Sequence, residues 1–221
     1  MRIAIMQPYF IPYAGYFRLL AATDLFVIYD CVQFTRRGYV HRNQLPNSSG
    51  ELAWLTLPLA KAPQDIKIAE LAFPEDAEVR MQEQLNKFPL FRGKRFLESE
   101  LNTLRNSFSL SPTAYITNSL KLICQVLDIP FNVAFSSELN LPAELKGQER
   151  IIATAKHFNA STYINSPGGK SLYNVDDFKK HNIDLKFLSD YQGGYQSVLP
   201  RIFSEDISDI RNEIISQSVV V

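Results

Sequence analysis

Ten residues near the start of the chain, Gln7-Pro8-Tyr9-Phe10-Ile11-Pro12-Tyr13-Ala14-Gly15-Tyr16, concentrate groups that can bind a polar ligand. Tyr9, Tyr13 and Tyr16 each offer an aromatic face and one hydroxyl, Pro8 and Pro12 stiffen the segment, and Gly15 permits a turn or close backbone approach. Further on, Arg36, Arg37, His41 and Arg42 are interleaved with Phe34, Tyr39 and Gln44. Arginine suits bidentate binding of phosphate or carboxylate, and Gln33 and Asn43 bring amides to the same segment. Asp30 closes an apolar run and could orient an arginine or accept a proton from an amine nucleophile. In Ser166-Pro-Gly-Gly-Lys170, the amides of Gly168 and Gly169 with the Lys170 ammonium could cradle an anion, although the Walker spacing is missing. Glu149-Arg150 opens a predicted helix, either near the site or as an exposed charge pair. A structural reading competes throughout: a Pro-aromatic loop capping a sheet, a solvated charged surface, a plain turn.

The elements that must position these residues follow from hydrophobic period and turn signals. Residues 3–6 read as a buried strand ending at Gln7-Pro8, a helix starts near Gly15, and residues 25–29 form a second buried strand ending at Asp30. Strand, loop, helix and strand in so short a span form a βαβ unit with parallel strands. Residues 31–45 read as irregular, and residues 54–59 as a strand that Pro58 ends or confines to an edge. Residues 75–127 have helical periodicity and form a possible helical insertion. Strands are predicted at 131–135, 162–164 and 184–188, and helices at 148–158, 176–181 and from Asp206. The fold class is therefore α/β, a mainly parallel Rossmann-like sheet with flanking helices, in one domain over residues 1–221. In such sheets ligands bind at the carboxyl ends of the strands, the place that Gln7 to Tyr16 takes after the first strand.

Two resemblances add to this reading. Met6-Gln-Pro-Tyr-Phe-Ile-Pro-Tyr-Ala-Gly-Tyr-Phe17, with Phe26-Val-Ile-Tyr-Asp30, Gln33, Arg36-Arg37, Arg42-Asn43, Trp54-Leu-Thr-Leu-Pro58 and Gly168-Gly-Lys170, resembles the WbqC-like family over essentially the full chain. Such proteins are typically associated with bacterial surface-polysaccharide (O-antigen) gene clusters. The resemblance implies a transferase that joins an acyl or aminoacyl group to an amino sugar through an amide bond. Separately, Phe10-Ile-Pro12-Tyr13-Ala-Gly15-Tyr16 is similar to the Phe-x-Pro-x-His-x-Gly-His signature of nucleotidylyltransferases and pantothenate synthetase-like ligases, with tyrosine at both histidine positions. A phenol donates a hydrogen bond but does not supply the cationic form of imidazole. This likeness implies a nucleotide or nucleotide-sugar site, with ATP or a nucleotide-sugar as the ligand. On these grounds Asp30, Tyr13 and Tyr16 are the candidate catalytic residues. Gln7, Pro8, Tyr9, Gly15, Gln33, Arg36, Arg37, Arg42, Asn43, Gly168, Gly169 and Lys170 are the candidate substrate-binding residues. A non-catalytic nucleotide- or sugar-binding protein on a degenerate cradle is the competing expectation.

Composition narrows the field. Lys+Arg and Asp+Glu are both 23, so no net basic field marks the chain for nucleic acid. Residues 1–6 are too short an apolar stretch for a signal peptide, and no later run approaches a membrane span, which points to the cytoplasm. Cys31 and Cys124 have no second cysteine at metal-ligand spacing and read as buried free thiols. No His-Glu-x-x-His or paired-cysteine pattern supports a metal site, and no Gly-x-Ser-x-Gly elbow supports a hydrolase of that type. His157 and His181 read as helix-surface residues.

Overall fold

The computed structural model describes residues 1–92 and 108–221. Its centre is a five-stranded, all-parallel sheet of β1 (Arg2–Met6), β2 (Leu25–Ile28), β5 (Val133–Phe135), β6 (Thr162–Asn165) and β7 (Asp184–Phe187), in the order β5-β2-β1-β6-β7. β3 (Arg42–Pro46) and β4 (Leu52–Thr56) make a separate antiparallel hairpin. The helices are α1 (Phe17–Ala22), α2 (Ala77–Leu85), α3 (Pro112–Val126), α4 (Gly147–His157), α5 (Val175–Lys179), α6 (Leu199–Ser204) and α7 (Ile207–Ser216).

Alternation along the strands explains the layering. Ile3, Ile5, Leu25, Val27, Tyr163 and Leu185 pack on one face with Ile151, Ile152 and Ala155 of α4 and Phe178 of α5. Ala4, Phe26, Ile28 and Ile164 point to the other face, into a larger cluster with Phe17 and Leu20 of α1, Ile116 and Leu120 of α3, and Ile210 and Ile214 of α7. Both faces are thus apolar, as a parallel sheet between helices requires. α3 starts where a proline and a cap coincide: Ser111 Oγ accepts from the Ala114 amide at 3.2 Å, and Pro112 occupies the first turn.

The predicted βαβ opening is present, with β1 and β2 parallel in the register Ile3 to Leu25. Two local expectations are corrected. Residues 31–45 are not irregular throughout, because Arg42–Pro46 pairs with Leu52–Thr56 around a turn at residues 47–50, where Asn47 Oδ1 accepts from the Ser49 and Glu51 amides and Gly50 takes φ +81°. The strand expected at 54–59 is observed at Leu52–Thr56, ending before Pro58, and belongs to this hairpin rather than to the main sheet. Ser166-Pro-Gly-Gly-Lys170 is not an open loop but enters a 3-10 helix at Pro167–Leu172. Between residues 75 and 127 the described part is helical, with α2, a 3-10 turn at Pro89–Phe91 and α3; residues 93–107 of the expected insertion lie outside the described residues.

Candidate functional site

In sequence the sheet's strands run third, second, first, fourth, fifth across the molecule. The chain builds outward from β1 through β2 to β5, then returns to lay β6 and β7 on the other side of β1. Connections leaving β1 and β6 therefore diverge, and a crevice opens between their carboxyl ends. There Met6, Gln7 and Tyr9 face Asn165, Ser166 and Gly168 across a cavity of about 390 Å³, with Tyr29 and Tyr173 as further walls. Asn165 Oδ1 accepts from the Ser166 amide at 2.8 Å, which turns the chain sharply at the end of β6. Gly169 is needed there, since a Cβ would stand 2.3 Å from Asn165 Nδ2.

A second cleft, about 730 Å³, lies at the carboxyl ends of β2 and β5 and shares Tyr29 with the first. Its polar wall includes Cys31, Lys67, Ser137, Lys146 and Arg150. α4 begins in this cleft at Gly147, and no side chain caps its first amides. Uncapped amides with the positive end of the helix dipole favour an anion. Arg150 is held in place: its Nε donates to Cys31 Sγ at 3.2 Å and its Nη1 to Pro142 O at 3.0 Å. Burial raises the Tyr29 phenol to about 12, with Cys31 adding, so its hydroxyl stays protonated and available as a donor. A trough of about 760 Å³ on the outer flank of α4 carries His157 and His181, but helix sides rather than strand ends line it.

The sequence candidates distribute unevenly over this geometry. Gln7, Tyr9, Gly168 and Gly169 come together in the first cleft, and Gln33 lines the second. Pro8 is buried, and Lys170 is exposed beyond the glycines. Asp30 is buried under the second cleft; its Oδ1 accepts from Ser136 Oγ at 3.0 Å and the Ser137 amide at 2.8 Å, and its Oδ2 from Ser137 Oγ at 2.7 Å. Tyr16 is buried, and its hydroxyl donates to Gln7 O at 2.9 Å, pinning the loop. Tyr13 packs against Tyr191 and Tyr195, with ring centres 5.6 and 5.0 Å away. Gly15 lies between these rings, where a Cβ would stand 2.4 Å from Tyr13 Cε2.

Arg36, Arg37 and Arg42 sit at the hairpin and the loops beside it rather than in the two clefts. Arg36 donates to Ala62 O at 2.6 Å, and Arg42 donates to Arg37 O at 2.7 Å while stacking 4.1 Å from the Trp54 ring centre. Arg37 is exposed. Asn43 is buried, donating to Phe10 O and Ile11 O at 3.2 and 2.8 Å. Cys124 is buried as expected, whereas Cys31 is only partly buried on a cleft wall, three residues past the end of β2; both are free thiols.

Tyr29, Asn165, Ser137, Lys67 and Lys146 were not singled out from sequence. Tyr29 and Asn165 had an available signal, standing at or just past the end of a predicted strand. Ser137, Lys67 and Lys146 reach the cleft from segments brought in by the fold and had none. The signature frame also needs refinement: Tyr13-Ala-Gly15-Tyr16 keeps the His-x-Gly-His spacing, but Pro12 adjoins Tyr13 directly, one residue closer than in the signature. Among the described residues, no group of three or more His, Cys, Asp or Glu side chains is arranged to hold a metal ion, and no helix is long and apolar enough to cross a membrane.

The model of the WbqC-like protein family matches residues 7–210, a span that includes the second cleft, the hairpin and the first cleft apart from its Ile5 and Met6. Uncharacterized protein Rv1507c of Mycobacterium tuberculosis (strain ATCC 25618 / H37Rv) is 28% identical over 200 residues, covering 87% of this chain and 83% of its own length. No solved structure matches the chain.

Proposed function

This chain belongs to the WbqC-like protein family, and we propose that it is a cytoplasmic transferase of bacterial surface-polysaccharide (O-antigen) biosynthesis that forms an amide on a nucleotide-linked amino sugar. The observation that carries the reading is the pair of clefts meeting at Tyr29, one beside the uncapped start of α4, the other at the switch point of the sheet. Their volumes suit a small polar ligand. In this assignment the diphosphate lies at the α4 amides between Lys146 and Arg150, and the sugar crosses Tyr29 towards Gln7 and Asn165.

The chemistry joins the sugar's amine nitrogen to the carbonyl carbon of an activated acyl or aminoacyl donor. A C–N bond forms, the bond to the donor's leaving group breaks, and the amine must lose a proton. Asp30 is too deeply buried to touch the sugar, but Ser137 Oγ lies between it and the second cleft. We assign the proton of an amine on the second-cleft side of Tyr29 to Ser137 Oγ as that hydroxyl passes its own to Asp30, and the same relay run in reverse, from Asp30 through Ser137 Oγ, returns a proton to the departing group. Tyr13 and Tyr16 hold the loop that positions Gln7.

Calorimetric titration with ATP and with UDP-, CDP- and dTDP-linked amino sugars tests the binding half. Selective binding of a nucleotide-sugar, weakened about tenfold in Arg150→Ala, supports the assignment, since about 1.4 kcal/mol of lost interaction is tenfold in affinity. No binding of any of these ligands would remove it. A mass gain on the sugar in the presence of an activated acyl donor tests the transfer. The tyrosines that stand where the signature has histidines are used in packing, and this favours a second reading, a non-catalytic sugar-nucleotide binder. Saturable binding without product would select that one.

A further inference from the structure

The hairpin outside the sheet carries aromatic surface that packing leaves open. Trp54 is 37% exposed and Tyr39 44%. Strand alternation and the register Gln44 to Trp54 and Arg42 to Thr56 put Arg42, Gln44, Trp54 and Thr56 on the outer face, opposite the buried Asn43, Leu45 and Leu55. The rings continue inward without a break. Trp54 is 5.9 Å from Tyr39 with planes 48° apart, and Tyr39 is 5.8 Å from Tyr9, the wall residue of the first cleft, with planes 41° apart.

The strip is also anchored by side-chain and backbone contacts. Arg42 stacks on Trp54 while its Nε and Nη2 donate to Gly38 O and Arg37 O, which anchors one side of the indole. The hairpin is tied to the cleft loop by the Phe10 amide donating to Tyr39 O at 3.0 Å and by Asn43 donating to Phe10 O and Ile11 O.

We propose that Tyr39 and Trp54, with Gln44 beside them and Arg42 stacked on one side of the indole, form a saccharide subsite that receives glycan extending from the first cleft past Tyr9. A sugar ring has an apolar face of C–H groups and a rim of hydroxyls. Exposed ring faces match the first, and a planar amide and a guanidinium match the second. Neighbouring rings are tilted by 48° and 41° rather than parallel, which suits linked sugar rings set at angles better than a flat stack of bases. A nucleic acid is disfavoured by the balance of 23 basic and 23 acidic residues. The direction of the glycan, outward from the cleft, rests on the proposed function; the sugar chemistry of the strip does not.

Trp54 is the chain's single tryptophan, so its emission reports directly on the strip. The experiment titrates the full chain with tri-N-acetylchitotriose and with other trisaccharides containing amino sugars, and separately with UDP. The expected result is a saturable change in Trp54 emission with at least one trisaccharide, weakened about tenfold in Tyr39→Ala. Calorimetry on Trp54→Ala should show the same loss of trisaccharide affinity with UDP binding unchanged. No emission change across the trisaccharides would overturn the proposal, as would a change that Tyr39→Ala leaves intact. So would light scattering that shows Trp54→Ala dissociating a self-associated wild-type protein, since the strip would then be an interface between copies. Trisaccharide binding without any nucleotide or nucleotide-sugar binding would instead remove the assignment of the two clefts and leave the strip standing.

Discussion

Ile11 adopts φ +39°, a left-handed backbone that a β-branched side chain takes only at a cost of about 1–3 kcal/mol. Asn43 is placed to hold it there, accepting from the Gln44 amide at 2.8 Å while its Nδ2 serves two carbonyls of the loop. Asn43→Ala is expected to lower the unfolding free energy by about 1–3 kcal/mol, read as a lower urea midpoint. Gly15→Ala should cost about 1–3 kcal/mol by overpacking, because the new Cβ meets Tyr13 and Tyr191; thermal unfolding measures it. Burial, aided by Arg42 and Arg36, lowers the His41 pKa from 6.5 to about 4. Between those values the unfolded chain binds a proton that the folded chain refuses, so stability is present above about pH 6.5 and is lost as pH falls towards about 4. Urea midpoints at about pH 7 and about pH 5 should differ less in His41→Phe than in the unaltered chain.

At the scale of elements, the C-terminal segment explains how the open edge of the sheet is finished. Val221 exchanges backbone hydrogen bonds with Phe187, and the Ser189 amide donates to Val219 O, so β7 is not left as a bare edge. Arg18 of α1 locks this arrangement, donating to Ser189 O at 2.8 Å and to Gln217 O while buried beneath Tyr191. Arg18→Met keeps the length and apolar stem but strands those carbonyls. A loss of about 1.5–3 kcal/mol is expected, the range for hydrogen bonds to a charged group, together with faster amide exchange at Val221. The same helix holds the other side of the loop through Tyr16 at its start, so a defect at the tail should be felt near Gln7.

At the scale of the molecule, the two clefts depend on elements far apart in sequence: the ends of β1 and β2, the turn after β5, the start of α4 and the turn after β6. A ligand bridging them should stabilise the whole fold, by about 2.7 kcal/mol at a concentration a hundred times its dissociation constant. Gly169→Ala, which forces Asn165 to move, should reduce that stabilisation in a thermal-shift titration more than it reduces the stability of the free protein.

Hydrophobic period and turn chemistry were enough to read the layered parallel sheet, because β1, β2 and β6 alternate between two buried faces and their ends are marked by Gln7-Pro8, Asp30 and Ser166-Pro167. Those same marks put Gln7, Tyr9, Gly168 and Gly169 at strand ends, where the first cleft lies. The roles of the arginines were not legible, since Arg42 and Arg36 look equally suited to a phosphate or to the carbonyls and indole they meet. That choice depends on the hairpin pairing of residues 42–46 with 52–56, a non-local contact that local propensity reads as irregular chain. Nor could sequence show that Ser137, Lys146 and Arg150 converge on Tyr29. Residues more than a hundred positions apart become neighbours only when parallel strands align their carboxyl ends, and strand order is decided by how the helices cover both faces of the sheet.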